Sequence, residues 1–118
     1  MRRGELWTVA GGADCAGKPR PVVIVQEDSF EATASITICA FTTDATDAPL
    51  FRLLVCPSER NGLRLPSRLM VDKISTVSKG RLGERIGRLD DTDMMRQNQA
   101  MMVFLGLASS RRTDRKGA

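Results

Sequence analysis

With no histidine anywhere in its 118 residues, this sequence must assemble any acid–base or anion-handling site from arginines, carboxylates and hydroxyls. Arg20 stands where a glycine-rich stretch over 11–19 gives way to the apolar run Val22 to Val25. That placement suits a clamp on an anion, and it equally suits an ordinary surface arginine at the start of a strand. Thr42 and Thr43 close a second apolar run. Successive strand residues face opposite sides, so only one of the two hydroxyls can share a face with a given partner. Carboxylates follow or interrupt the apolar runs at Glu27, Asp28 and Asp72, while Lys18, Arg64, Arg68 and Lys79 are scattered basic residues of the kind that usually decorate a solvated surface. Trp7, the single tryptophan, reads as a core or contact residue before it reads as a platform for stacking.

The cysteines offer little further chemistry. Cys15, Cys39 and Cys56 are odd in number, share no CxxC spacing and have no histidine to join them, so neither a disulfide framework nor a zinc site is expected. Cys39 and Cys56 sit in apolar runs, where a reduced cysteine acts as a small hydrophobe, and Cys15 falls in the glycine-rich loop. Nor does bulk charge decide a partner. The formal charge is +4, but the tail over 111–118 carries four basic residues against one aspartate and so accounts for +3 of it. Any anion site must come from local arrangement rather than from a general field.

The elements that would position these groups follow from hydrophobic patterning. A length of 118 residues allows one domain, taken as 1–108, with a basic tail over 109–118 expected to be disordered. No apolar run approaches a membrane span, and Arg2-Arg3 lead into Gly4-Glu5-Leu6-Trp7 without a secretory signal, which points to a cytoplasmic protein with no membrane partner. Strands are expected over 5–10, 20–26 and 35–43, the last two buried on both faces and central in the sheet. Two more, over 51–56 and 68–73, should be spatial neighbours across a segment containing Asn61-Gly62. The stretch over 74–82 is ambiguous and compatible with one helical turn, with a short strand after it at 85–88. Asp90 to Asp93 provide N-cap candidates for a helix over roughly 92–108, whose Met94, Asn98, Met101, Met102, Leu105 and Ala108 follow helical spacing. The fold class is thus mainly β with a C-terminal helix.

Read in order, Arg3-Gly4-Glu5-Leu6-Trp7, Gly17-Lys18-Pro19-Arg20-Pro21-Val22-Val23 and Phe41-Thr42-Thr43 resemble the MazF/PemK growth-inhibiting toxins. So do Asn61-Gly62-Leu63, Pro66-Ser67, Val71-Asp72-Lys73-Ile74, Thr76, Leu82-Gly83 and Ile86-Gly87, extending the resemblance over about residues 1–107. Each piece is short; their conjunction carries the identification. The resemblance implies a compact SH3-barrel-like sheet of the CcdB/PemK type, a homodimer, and a toxin neutralised by a cognate antitoxin. It also implies cleavage of single-stranded RNA to a 2′,3′-cyclic phosphate and a 5′-hydroxyl, without metal or cofactor.

On that resemblance Arg20 matches the catalytic arginine, Thr42 the assisting threonine, with Thr43 as its neighbour alternative, and Asp72 a carboxylate near the scissile phosphate. Because a guanidinium hardly ever gives up its proton, Arg20 is expected to stabilise the phosphorane by charge and hydrogen bonds. Asp72 could act as base, orient an arginine or serve structure alone; the basic residue that some relatives carry two positions earlier is Met70 here. Glu27 and Asp28 are secondary candidates for base or RNA recognition, or simple turn formers, and Lys18 and Arg68 are candidate RNA contacts. Two other readings remain: a gyrase-binding toxin of the CcdB type, whose Trp-Gly-Ile ending is missing, and a non-catalytic SH3-like binding module.

Overall fold

Four consecutive β-branched residues, Val22 to Val25, are buried without exception, which requires protein on both sides of the strand that carries them. In the computed structural model, which describes residues 1–10, 18–45 and 47–108, that strand is β2 (Arg20–Ile24). Its partner β3 (Ser35–Thr42) lies beside it in the middle of the sheet. The others are β1 (Glu5–Val9), β4 (Arg52–Val55), β5 (Ser67–Ser78) and β6 (Leu82–Arg88). Together they form one six-stranded sheet in the order β4-β5-β3-β2-β1-β6, with every pairing antiparallel. The expectations for the glycine-rich loop with Cys15 and for the basic tail fall outside the described residues, apart from Lys18 and Pro19.

Alternation along β2 feeds two apolar clusters. Val23 and Val25 join Leu6, Cys39, Phe41, Leu69 and Val71 in the main core. Val22 and Ile24 point the other way, to Val9, Ile36 and Ile38, with Trp7 packed on them. Burying each such side chain contributes roughly 1.5–3 kcal/mol, so the two-sided burial holds β2 and β3 firmly at the centre. Cys39 behaves as expected, its thiol pushed up to about 12 by burial and, secondarily, by the charge of Asp72. Cys56 corrects the expectation: it is exposed, one residue past the end of β4.

β5 runs farther than its apolar stretch suggests. It continues to Ser78 because Ile74 to Ser78 pair with Ser35 to Cys39, and the Thr37 and Thr76 hydroxyls meet at 2.9 Å across that ladder. The helical turn expected within 74–82 is confined to a 3-10 turn at Lys79–Arg81, where the Ser78 hydroxyl accepts from the Gly80 N–H, and β6 starts at once behind it. The β3–β5 register shifts between Cys39 and Phe41. Bulges of this kind re-aim side chains, and Asp72 falls within the shifted stretch.

The turn between β4 and β5 packs on β6. Asn61, buried at 3% exposure, accepts from the Ser58 and Leu63 N–H groups and donates to the Cys56 carbonyl. Gly62 has φ +73 and Gly87 lies against the Arg60 and Asn61 backbone, so two main chains meet where no Cβ fits.

The helix α1 (Asp91–Phe104) begins as expected, with the Asp90 carboxylate accepting from the Asp93 N–H at 2.8 Å. Its end comes four residues early. Gly106, at φ +76, donates to the Val103 carbonyl, and Leu107 donates to that of Met102. This pair of bonds around a left-handed glycine is the Schellman stop. The inward face is also rotated from the expected stripe: Gln97 and Ala100 are buried and Met94 and Met101 pack on the core, whereas Met102 and Leu105 are 45% and 55% exposed. Gln97 is fully buried, and neither its amide nitrogen nor its oxygen has a hydrogen-bond partner among the described residues. Leaving such groups unmet costs about 1–3 kcal/mol. Gln97→Met, close in shape and apolar, should therefore raise the urea midpoint by an amount corresponding to about 1 kcal/mol or more.

Candidate active site

Along β2 and β3 the smaller apolar cluster gives out toward one end and polar groups take over its face. The ladder pairs Val22 with Ala40, Val23 with Cys39 and Ile24 with Ile38. Carried two residues farther, the same register sets Arg20 opposite Thr42. Thr42 is in turn paired with Arg68 of β5, and Arg68 with Leu54 of β4. Directly opposed residues share a face, so Arg20, Thr42 and Arg68 form a transverse row, each about 4.8 Å from the next strand. The row is a product of register: two arginines and a threonine separated by more than twenty positions each become neighbours.

The free valences in the row all suit an anion. Neither Arg20 nor Arg68 has an ion pair or side-chain hydrogen bond among the described residues. Thr42 accepts the Asp44 N–H at 3.1 Å. With its oxygen so engaged, its own O–H is directed elsewhere and can donate to an incoming oxyanion. Thr43 is exposed and lies beyond the strand end, whereas Thr42 is the last residue of β3 and is paired with Arg68.

Asp72 is on the same face. Alternation in β5 sends Leu69 and Val71 to the core and Arg68, Met70 and Asp72 outward. Both carboxylate oxygens of Asp72 are taken by Arg52 of β4, from Nε at 2.8 Å and Nη2 at 3.0 Å, with the two side chains 20% and 13% exposed. The Arg52 guanidinium bonded to it holds the Asp72 carboxyl below the usual carboxylate range, and the same contact raises Arg52. Arg52 pairs with Met70 across the ladder, so a basic group reaches Asp72 from the neighbouring strand. Nothing in the sequence marked Arg52; the one available signal was that a carboxylate within a strand demands a partner.

The folded value of Asp72 lies below its ordinary one. Its contribution to stability is therefore complete above about pH 3.9 and is lost as pH falls through the lowered folded value. Wild type and Asp72→Asn should accordingly differ in unfolding free energy at pH 7 and converge in strong acid, as urea titrations across pH will read.

Glu27 and Asp28 are not brought to the row. They follow the far end of β2, on the order of 20 Å along the chain from Arg20. Glu27 caps a 3-10 turn at Asp28–Phe30 through the Ser29 N–H, the contact that lowers its carboxyl. Asp28 accepts from the Arg3 N–H and the Arg2 guanidinium. Lys18 is exposed two residues before Arg20, Arg64 is exposed in the β4–β5 connection, and Lys79 donates to the Glu31 carbonyl. Trp7 donates its indole N–H to Glu5 and packs on the smaller cluster.

Two hollows accompany the site. One of about 150 Å³ lies at the β4 edge among Arg52, Arg68, Arg96, Leu54 and Asp47. The larger, about 620 Å³, is not over the row at all but between β4 and α1, among Pro49, Leu50, Leu53, Met102 and Val103. Its apolar lining suits a protein surface better than a phosphate.

The sequence profile of the PemK-like, MazF-like toxins of type II toxin-antitoxin systems matches residues 2–105. The probable endoribonuclease MazF of Mycolicibacterium smegmatis is 51% identical over 108 residues, covering 92% of this chain and 99% of its own. Endoribonuclease EndoA of Bacillus subtilis is 31% identical, covering 91% and 96%. Among solved structures, a mycobacterial endoribonuclease in complex with its cognate antitoxin superposes with a TM-score of 0.76 at 25% identity, covering 92% of this chain and 97% of that one. On the profile match over residues 2–105 and the 51% identical relative, the chain belongs to the PemK-like, MazF-like family of toxins of type II toxin-antitoxin systems.

Proposed function

We propose that this toxin is a ribosome-independent endoribonuclease that cuts single-stranded RNA at a short sequence motif, leaving a 2′,3′-cyclic phosphate and a 5′-hydroxyl. The ribose 2′-oxygen attacks the adjacent phosphorus, the bond to the 5′-oxygen breaks, the 2′ proton leaves and the 5′-oxygen gains one. Since the nucleophile belongs to the substrate, the protein's largest task is to stabilise the charge that gathers on the phosphorane oxygens. The Arg20–Thr42–Arg68 row carries this reading: two unpaired guanidiniums flank a hydroxyl whose proton is free to donate. Arg20 and Thr42 hold the reacting phosphate, and Arg68 neutralises charge beside it. Asp72 serves by orienting Arg52, because a carboxylate held ionised with both oxygens engaged is a poor proton acceptor.

The partners follow from the family. The working form is a homodimer, and a cognate antitoxin neutralises it. Support comes from the apolar hollow beside β4 and from Leu50 and Met102, large exposed hydrophobic side chains that line it. No helix among the described residues is long and apolar enough to cross a membrane.

Purified protein should cut a long RNA in excess EDTA, because internal attack requires no metal-bound nucleophile. Mapping both ends of the fragments reads the recurring motif and the end chemistry together. Strict dependence on magnesium, or 5′-phosphate ends, would overturn the mechanism.

A further inference from the structure

Arg52 is engaged by Asp72 through only two of its five N–H groups. Three remain, and they are not free to wander, since the fork fixes the guanidinium plane and the Phe51 ring lies 5.9 Å below its central carbon. Such a group is prepared to bind a second acceptor at little entropic cost. It stands on the face of the row, two residues from Leu54, which is paired with Arg68. It also shares the 150 Å³ hollow with Arg68. Measured along the sheet, Arg52 is three strands from Arg20, on the order of 14 Å, too far for both to grip one phosphate group. Charge around the hollow is largely offset: Arg52 is paired with Asp72 and Arg96 with Asp93, and Asp47 lines the hollow together with the unpaired Arg68. Asp44 also adds negative charge near Arg52. A hollow of this kind favours a singly charged diester recognised by N–H geometry over a doubly charged terminal phosphate.

We propose that Arg52, oriented by Asp72, binds a phosphodiester of the RNA strand flanking the one held by Arg20 and Thr42, and that Asp72 acts on RNA only through Arg52. This rests on the ribonuclease reading above. It makes Arg52 a binding residue and Asp72 a positioning residue.

The pair can be tested without altering net charge. Arg52→Gln/Asp72→Asn replaces the ion pair by two neutral amide side chains of similar shape, so the overall field on RNA is unchanged. The probe is a fluorescein-labelled oligoribonucleotide spanning the mapped cleavage site, with a 2′-O-methyl group at that site to block attack. Binding is followed by anisotropy from 50 to 300 mM NaCl. Loss of one phosphate contact should reduce the slope of log K against log salt by about 0.7 and weaken binding roughly tenfold. Asp72→Asn alone should keep most of the slope while weakening binding severalfold. Arg52→Gln/Met70→Arg, which returns a guanidinium from across the ladder, should restore the slope. A double variant that melts like wild type but retains the full slope overturns the proposal, as does a loss of slope in Asp72→Asn equal to that in the double variant. Should the pair variant fail to fold, Arg52→Lys is read instead; it keeps the charge, so unchanged affinity would show that the fork's fixed N–H groups do not contact RNA. Failure of wild type to cut any RNA would instead remove the ribonuclease reading itself.

Discussion

Arg20→Ala should reduce RNA cleavage by about 10³-fold while leaving the fold intact. Arg20 is exposed, begins its strand, and has no ion pair or side-chain hydrogen bond among the described residues. Its removal should therefore change stability by less than about 0.5 kcal/mol, and the melting curve should overlay that of wild type. Loss of rate without loss of fold separates an enzyme from a binding module of the same architecture. Lysine at position 20 should recover only part of the rate, because an ammonium supplies charge without the planar fork of donors. The threonines sharpen the test. Thr42→Val removes a neutral donor and should cost about tenfold to a hundredfold in rate; Thr43→Val, beyond the strand end, should cost little. Cleavage of an end-labelled RNA under single-turnover conditions reads all of them. A wild-type rate in Arg20→Ala would dismantle the site.

A large structural effect is expected from a single methyl group on Gly87. A Cβ there would lie 2.3 Å from the Arg60 carbonyl oxygen and 2.5 Å from the Asn61 carbonyl carbon and oxygen, all main-chain atoms that cannot swing aside. To admit it, β6 must move off the β4–β5 turn. That breaks the Arg88 N–H bond to the Arg60 carbonyl, 2.9 Å long, and loosens the turn that the buried Asn61 organises. Gly87→Ala should thus lose more than about 4 kcal/mol, a large share of the 5–15 kcal/mol typical of a domain. Low soluble yield and a collapsed urea midpoint would report it. Gly80→Ala is the control: the nearest atom to a Cβ there is the Ser78 hydroxyl at 3.6 Å, and stability should hardly change.

These two outcomes separate what the amino-acid order makes legible from what only three dimensions provide. β2 and β3 could be read because their central residues form apolar runs, and the helix start because Asp90 caps it. The helix end was overrun, since Gly106 acts as a stop through its left-handed conformation while the methionines around it keep a helical spacing. Cys56 looked buried because its apolar neighbours hid the fact that the strand had ended. At the site, Arg20 and Thr42 carried recognisable local contexts. Their opposition depends on the β2–β3 register, and the proposed preference for Thr42 over Thr43 on where β3 ends. Arg52 was invisible for the same reason: its meaning comes from Met70 and Asp72 on another strand, and no spacing within one segment encodes a cross-strand fork.

Arg3 reaches from the head of the chain to the Val25 carbonyl and to Asn98 of α1, at 3.0 and 2.7 Å, while β1 is walled in by β2 on one side and β6 on the other. The first strand consequently waits for the last before its ladder is filled. Until residues 82–88 and Asn98 have been synthesised, one edge of β1 stays open and Arg3 lacks its helix partner, so the two ends of the domain can only close together.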